Sequence, residues 1–139
     1  MKVRFEMLQK EALGRKRKYN MTAQLYWYPR CSTCQKAHKE LDALGVAVQD
    51  IDLKTTPPKA ALILSWLETS GFDKKKFFNT SGISYRELGL KDKIADLSLE
   101  AAADLLASDG MLIKRPILLD EDGKILQIGY RTDYETLLA

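Results

Sequence analysis

The residues best suited to chemistry are Cys31 and Cys34, the only cysteines in this chain of 139 residues. They are separated by Ser32 and Thr33, and a Cys-x-x-Cys pair can close a disulfide within one short loop. The pair follows a strand-like apolar segment, residues 24–28, and opens a helix-like pattern. Backbone N–H groups at a helix N-terminus stabilise a thiolate. We therefore predict thiol chemistry, with Cys31 as the nucleophile and Cys34 as the thiol that resolves a mixed disulfide.

A metal site is the alternative use of these thiols. Cys31, Cys34 and His38, which is the only histidine, have a plausible ligand spacing at the start of a helix. A closed zinc site needs four ligands, so a carboxylate or a second subunit would have to complete it. We prefer the interpretation that His38 is an ordinary residue of the helix surface, and we predict no metal.

The elements that must position the two cysteines form a β-α-β unit, which implies parallel strands. Either Ser32 or Thr33 can cap the helix. Cys34 falls on the apolar face of this helix, so we expect it to be more buried than Cys31. The predicted bounds are 24–28 for the first strand, 33–44 for the helix and 46–51 for the second strand.

A helical insert is predicted for residues 53–114. This segment contains a capping-box pattern, Ser84-Tyr85-Arg86-Glu87, and a second helix that Ser98 caps. An insert of this length must pack as a helical layer of its own. Its Lys74-Lys75-Lys76 run is interpreted as a solvated face.

The end of the chain predicts a β-hairpin and a short helix. Asp122-Gly123 lies between the apolar segments 116–120 and 124–128, as in a hairpin. A capping box from Thr132 to Glu135 opens the last helix. The order β-α-β, helical insert, β-β-α predicts an α/β fold with a thioredoxin-like mixed sheet.

Arginines supply the candidate binding groups. Pro116 begins a strand that would otherwise be central, where a residue without an N–H is unusual. In thioredoxin-like folds a cis-proline at this position faces the active cysteine. A cis bond would carry Arg115 toward Cys31, where its guanidinium would lower the thiol pKa or bind an anion. Arg30 adds a positive neighbour to Cys31, and Arg131, after the last strand, is a candidate for the same pocket.

The charge of the chain is unevenly distributed. Residues 1–20 contain seven Lys or Arg and two Glu, which gives +5, and the whole chain carries +3, so the remainder carries −2. We predict a flexible basic extension over 1–20, without direct nucleic-acid binding, and a single domain over 21–139. No apolar run reaches the roughly 18 residues of a membrane helix. The first residues lack a secretory signal, so we expect a cytoplasmic protein that does not contact membranes.

Several separate segments resemble the arsenate-reductase-like family, which includes the Spx regulators and a set of small thiol proteins. The resemblance covers about residues 23–138 and rests on YPRCSTC at 28–34, FFNTSG at 77–82, YRELG at 85–89 and IKRPI at 113–117. The family fold is thioredoxin-like with a helical insert.

The resemblance also implies roles for individual residues. Family arsenate reductases use one nucleophilic cysteine at the position of Cys31, and arginines that correspond to Arg115 and, less securely, Arg131 bind the oxyanion. Their third arginine falls near Asn79, and they have no second cysteine at the position of Cys34. The Spx regulators carry a Cys-x-x-Cys switch and act on RNA polymerase. The segment from Asn79 to Gly82 is more similar to the thiol-protein branch, which resembles glutathione-dependent thiol reductases.

We therefore predict a thiol–disulfide oxidoreductase without a bound cofactor, whose partner is glutathione, as co-substrate, or a protein disulfide. The catalytic residues would be Cys31, Cys34 and Arg115. The substrate-binding residues would be Arg131, Asn79, Pro116 and Arg30. The alternatives are a glutaredoxin-coupled arsenate reductase and an Spx-like redox sensor that binds RNA polymerase.

Overall fold

Four strands form one mixed sheet in the order β2-β1-β3-β4 in the computed structural model, which describes residues 19–139. The parallel pairing of β1 with β2 confirms the predicted β-α-β unit. The antiparallel pairing of β3 with both β1 and β4 confirms the hairpin and makes the sheet mixed. The strands are β1 (Thr22–Trp27), β2 (Ala47–Asp52), β3 (Ile117–Leu119) and β4 (Ile125–Ile128).

The helices follow the predicted order and confirm the thioredoxin-like fold with an insert between the two halves of the sheet. α1 joins β1 to β2, the insert carries α2 to α4, and α5 follows β4. The α-helices are α1 (Ser32–Ala43), α2 (Ala60–Thr69), α3 (Ile83–Glu87), α4 (Leu99–Ser108) and α5 (Tyr134–Leu138). Short 3₁₀ turns occupy Lys74–Phe77, Leu90–Asp92, Ile94–Asp96 and Gly110–Leu112.

Two apolar clusters cover the two faces of the sheet. Leu118 of β3 belongs to one cluster, while its neighbours Ile117 and Leu119 belong to the other, because successive strand residues point to opposite faces. Helices α1 and α5 contribute to the Leu118 cluster, and the insert contributes to the other. Both faces of β3 are therefore buried, and each such side chain contributes roughly 2 kcal/mol of hydrophobic stabilisation.

A close backbone approach ties the end of the insert to its beginning. A Cβ atom placed on Gly110 would lie 1.7 Å from the carbonyl oxygen of Leu53. No other residue type fits at this position without moving the backbone. Gly110 therefore holds the segment that leads into β3 against the segment that leaves β2.

Two predicted helix caps are wrong. At α3, Gly82 occupies the N-cap position without a side-chain bond, and the hydroxyl of Ser84 donates to the Asp109 carboxylate at 2.9 Å. At α5, the cap is Asp133, which accepts a hydrogen bond from the N–H of Thr136, and it is not Thr132. In both cases another polar side chain or glycine lies within two residues of the predicted cap. The pattern locates the helix start correctly and misses the residue that caps it.

Ser98 caps α4 as predicted, since its hydroxyl accepts a hydrogen bond from the N–H of Ala101. Residues 1–18 of the predicted basic extension lie outside the described residues, so the division at residue 20 remains a prediction. Within the described part of the chain, no helix is long and apolar enough to cross a membrane.

Candidate active site

The first turn of α1 places Cys31 at the N-cap position. Its backbone is extended (φ −84°, ψ 124°), its N–H donates to the Tyr28 carbonyl at 3.0 Å, and its carbonyl accepts from the N–H of Gln35 at 2.9 Å. No side chain caps this helix, so the prediction that Ser32 or Thr33 does so is wrong. A thiol takes the place of the usual hydroxyl or carboxylate, and the helix N-terminus favours its anionic form.

The surroundings of Cys31 favour its thiolate. Burial raises the pKa of this half-buried thiol, but the backbone N–H groups of Cys34 and Thr33, the Cys34 thiol and the Arg115 side chain favour the thiolate and outweigh burial. The net result is a pKa below the ordinary value for a cysteine. Because only the thiolate attacks, Cys31 is suited to be a nucleophile.

Cys34 lies behind Cys31 and is completely buried, which confirms the predicted order of burial. Burial raises the pKa of its thiol to about 12, and the neighbouring Cys31 adds to the increase, against the Tyr28 N–H and the charge of Arg115. The Tyr28 N–H lies 3.5 Å from the Cys34 sulfur. Both thiols are free. The pair therefore combines one acidic, accessible thiol with one protonated, inaccessible thiol.

Arg115 is brought to the thiols by a cis peptide bond to Pro116, as predicted. Its guanidinium carbon lies 5.4 Å from the centre of the Tyr28 ring, and one terminal nitrogen donates to the Met111 carbonyl at 3.4 Å. The Nε atom is buried and has no hydrogen-bond partner within the described residues. A buried donor without a partner costs about 1–3 kcal/mol.

An open groove of about 870 Å³ connects most of the predicted site residues. Cys31, Arg115, Asn79 and Arg131 all line it. Three predicted residues do not. Cys34 and Pro116 are buried beneath the groove, and Arg30 is exposed outside it. Arg30 is also absent from the causes that shift the pKa of Cys31, so its predicted role at the thiol has no support.

Asn79 reaches the groove because its segment pairs with the residues that precede Arg115. The Asn79 N–H donates to the Leu112 carbonyl at 2.7 Å, and Phe78 forms an isolated antiparallel bridge with Ile113. This pairing fixes the side of the groove that faces Cys31. The carboxamide of Asn79 accepts a hydrogen bond from the Ser81 hydroxyl at 3.3 Å.

Arg131 depends on a carboxylate that the sequence did not single out. Glu40 of α1 accepts hydrogen bonds from the Tyr130 hydroxyl at 2.5 Å and from the N–H groups of Tyr134, at 2.6 Å, and Glu135, at 3.2 Å. These bonds tie the segment that carries Arg131 to the helix that carries the cysteines. Glu40 has no sequence signal of its own, because its donors lie about ninety residues away.

The lysine run is only partly a solvated face. Lys74 donates to the carbonyls of Ala95 and Leu97, at 3.0 and 2.6 Å, and so joins two turns of the insert. Lys75 and Lys76 are exposed and line the groove, as does Lys114, beside Arg115. The clustering of lysines in the sequence was the available signal for this positive wall.

His38 is turned away from the thiols. Its ring stacks on Trp27 with the ring centres 4.5 Å apart, its Nε2 lies 3.0 Å from the Asp50 carboxylate, and its Nδ1 lies 3.3 Å from the Asp42 carboxylate. Both ring nitrogens therefore face carboxylates. No three His, Cys, Asp or Glu side chains of residues 19–139 are grouped as metal ligands would be.

Known proteins are similar to this chain in sequence and in fold. The sequence profile of the ArsC family matches residues 26–136. The chain is 47% identical over 113 residues to the uncharacterised protein YusI of Bacillus subtilis (strain 168), covering 81% of this chain and 94% of that protein. It is 33% identical to the global transcriptional regulator Spx of Lactiplantibacillus plantarum, covering 78% and 80% of the two chains. A crystal structure of a "possible arsenate reductase" from Streptococcus mutans UA159 superposes with a TM-score of 0.81 at 62% identity, over 86% of this chain and 100% of that one. The chain belongs to the ArsC family.

Proposed function

We propose that this protein is a thiol–disulfide oxidoreductase of the cytoplasm. The observation that carries the proposal is the asymmetry of the two thiols. Cys31 is half-buried at the start of α1 with a lowered pKa, and Cys34 is fully buried with a pKa of about 12. Cys31 can attack a substrate in the groove, and the buried Cys34 can then resolve the mixed disulfide.

The reaction follows from this arrangement. The Cys31 thiolate attacks one sulfur of a substrate disulfide, forms a mixed disulfide and releases the other substrate sulfur as a thiolate. Cys34 then loses its proton to solvent or to the leaving thiolate and attacks the Cys31 sulfur. The products are a Cys31–Cys34 disulfide and a substrate reduced by two electrons. A dithiol, or two equivalents of a low-molecular-weight thiol, returns the pair to the reduced state.

Glutathione is the small thiol we propose as co-substrate. Its carboxylates match the guanidinium groups of Arg115 and Arg131 beside Cys31, and guanidinium binds carboxylate in a two-pronged geometry. Asn79 supplies a neutral amide to the same groove.

Alkylation and mass spectrometry test the proposal together. We expect Cys31 to react with iodoacetamide with a midpoint pH clearly below the value of about 8.5 for a free thiol. Oxidised glutathione should give the Cys31–Cys34 disulfide in the unmodified chain and a stable glutathione adduct in Cys34→Ser, while Cys31→Ser serves as the control without adduct. A Cys31 that titrates like a free thiol and forms no adduct would contradict the proposal.

A redox-sensing regulator is the second candidate, because the Spx relative from L. plantarum is a global transcriptional regulator. Oxidation of the Cys31–Cys34 pair would then change the surface offered to RNA polymerase. Capture of polymerase subunits by the oxidised chain and not by Cys31→Ser supports this candidate, and equal capture by both argues against a redox switch.

Arsenate reduction is the third candidate, favoured by Cys31 with Arg115 and Arg131 in one groove. Asn79 near the place of the family's third arginine and the second thiol at Cys34 are the departures from that activity. Arsenate-dependent consumption of NADPH in the presence of glutathione, glutaredoxin and glutathione reductase would establish it. No turnover by protein with full thiol content would exclude it.

A further inference from the structure

The groove beside Cys31 carries positive charge only. Of its described lining residues, five are cationic and none is Asp or Glu. The five are Lys75, Lys76, Lys114, Arg115 and Arg131. The rest of the polar lining is neutral, with hydroxyl groups and the Asn79 amide.

The positive charge of the groove is opposite in sign to the net charge of the described residues. The described residues contain 15 Lys or Arg and 17 Asp or Glu, which gives −2. One third of these cations therefore line a single groove, and all 17 carboxylates lie elsewhere. A groove with charge of one sign concentrates and steers ligands of the opposite sign.

The cations come from three separate segments of the chain. Lys75 and Lys76 come from a turn of the insert, Lys114 and Arg115 precede β3, and Arg131 follows β4. The Lys114 stem lies over Gly129, because a Cβ on Gly129 would lie 3.2 Å from the Lys114 Cε atom. A single tetrahedral oxyanion needs only one convergent cluster and far less than the groove's volume of about 870 Å³. Carboxylates on alternate residues of an extended peptide lie about 7 Å apart on one side, so such a peptide presents several anionic groups to cations from several segments.

We propose that the substrate of this site is a disulfide formed by a cysteine within an acidic polypeptide segment. The segment binds in the groove, and its carboxylates contact Lys75, Lys76 and Lys114. This inference rests on the proposed thiol–disulfide exchange at Cys31 and adds the class of substrate. The Cys31 thiolate attacks the substrate cysteine's sulfur, a Cys31–substrate disulfide forms, and the sulfur formerly bonded to that cysteine leaves as a thiolate. The groove lysines bind the flanking carboxylates and take no part in bond exchange.

The test uses three peptides of equal length, each with one central cysteine in a mixed disulfide with 2-nitro-5-thiobenzoate. The flanking residues are Glu, Gln or Lys, and release of the coloured thiolate from the reduced full chain is followed by stopped flow. We expect the Glu peptide to react about tenfold faster than the Gln peptide at low salt, with the Lys peptide slowest. The advantage should shrink strongly at about 0.5 M salt, because exposed charges are then screened.

Matched variants separate the groove from overall charge. Lys75→Gln/Lys76→Gln should slow the Glu peptide about threefold to fivefold and slow the Gln peptide much less. Lys91→Gln/Lys124→Gln removes the same charge from exposed positions outside the groove and should leave both rates unchanged. Equal rates for the three peptides, or equal losses in the two double variants, would overturn the proposed substrate class.

Oxidised glutathione distinguishes this failure from failure of the proposed function. If the Gln peptide and glutathione both modify Cys31 while the Glu peptide has no advantage, only the substrate class is wrong. If no disulfide modifies Cys31, the thiol–disulfide exchange itself is wrong, and the substrate class falls with it.

Discussion

The two halves of the chain contribute different things to the groove. The β-α-β half contributes only Cys31 and Thr33, and everything else in the lining, including every cation, comes from residues 75–131. The reactivity of Cys31 depends largely on its own helix turn, which needs only local backbone geometry. In the proposed function, recognition would depend on an insert and a hairpin that fold against that turn. Arg115 links the two halves, because it also helps to lower the pKa of Cys31.

The largest expected effect comes from removing the Cys31 sulfur while the cations of the groove stay in place. Cys31→Ser should lower the rate of disulfide exchange by at least about a thousandfold, because a serine hydroxyl is not ionised here and Cys34 is buried and protonated. Cys34→Ser should retain the first attack and accumulate the mixed disulfide. Stopped-flow thiol release measures both variants. Fast exchange in Cys31→Ser would show that Cys34 reaches substrate by itself.

The next largest effect comes from disrupting the contact between the end of the insert and the segment that leaves β2. Gly110→Ala should lower the free energy of unfolding by about 3 kcal/mol, since its Cβ would overlap the Leu53 carbonyl. Gly123→Ala is the control. Gly123 has a φ of +86° and open space around it, so strain alone should cost about 1 kcal/mol. Urea unfolding compares them. Equal losses would mean that the close approach at Gly110 is not what joins the insert to β2.

A smaller effect is expected from replacing Arg115, which lines the groove and also favours the Cys31 thiolate. Arg115→Gln should raise the pKa of Cys31, because one of the hydrogen bonds that lower it is removed. We expect glutathione adduct formation at neutral pH to slow about tenfold. Arg86→Gln, at an exposed position outside the groove, is the control and should react like the unmodified chain. An unchanged pH profile for Arg115→Gln would assign Cys31 reactivity entirely to the helix turn.

The smallest expected effect is a pH dependence of stability. The folded pKa of Cys34, about 12, lies above the unfolded value of about 8.5. The stability it contributes is therefore complete below about pH 8.5 and is lost as the pH rises toward the folded value. Between pH 8.5 and 9.5 the unmodified chain should lose about 1 kcal/mol more than Cys34→Ala. Parallel stability curves for the two proteins would contradict the burial effect on Cys34.

The sequence predicted the features that depend on neighbours along the chain. The period of the apolar residues located β1, α1 and the hairpin, and the position of Cys34 on an apolar face gave the order of thiol burial. These signals are short-range, so a single sequence carries them. The cis bond before Pro116 is different, because it was expected by analogy with thioredoxin-like folds.

The features that depend on distant segments were missed. The cap of α1 was assigned to a serine or threonine because hydroxyl caps are usual, whereas the extended backbone places Cys31 there. The groove lysines become a wall only after Phe78 pairs with Ile113. Glu40 gains its role only when α5 packs against α1. The cap of α1 is a local feature, whereas the other two depend on contacts between residues far apart in the chain, which spacing alone does not encode.

The burial of one sulfur behind the other has a practical consequence for labelling. Cys34 has no exposed surface, so a maleimide or haloacetamide under native conditions meets a protein with a single addressable position. A crosslinker or fluorophore attached to Cys31 would lie in the groove and occupy the place of a substrate. The folded chain is thus equipped for site-selective conjugation at Cys31 without removing its second cysteine.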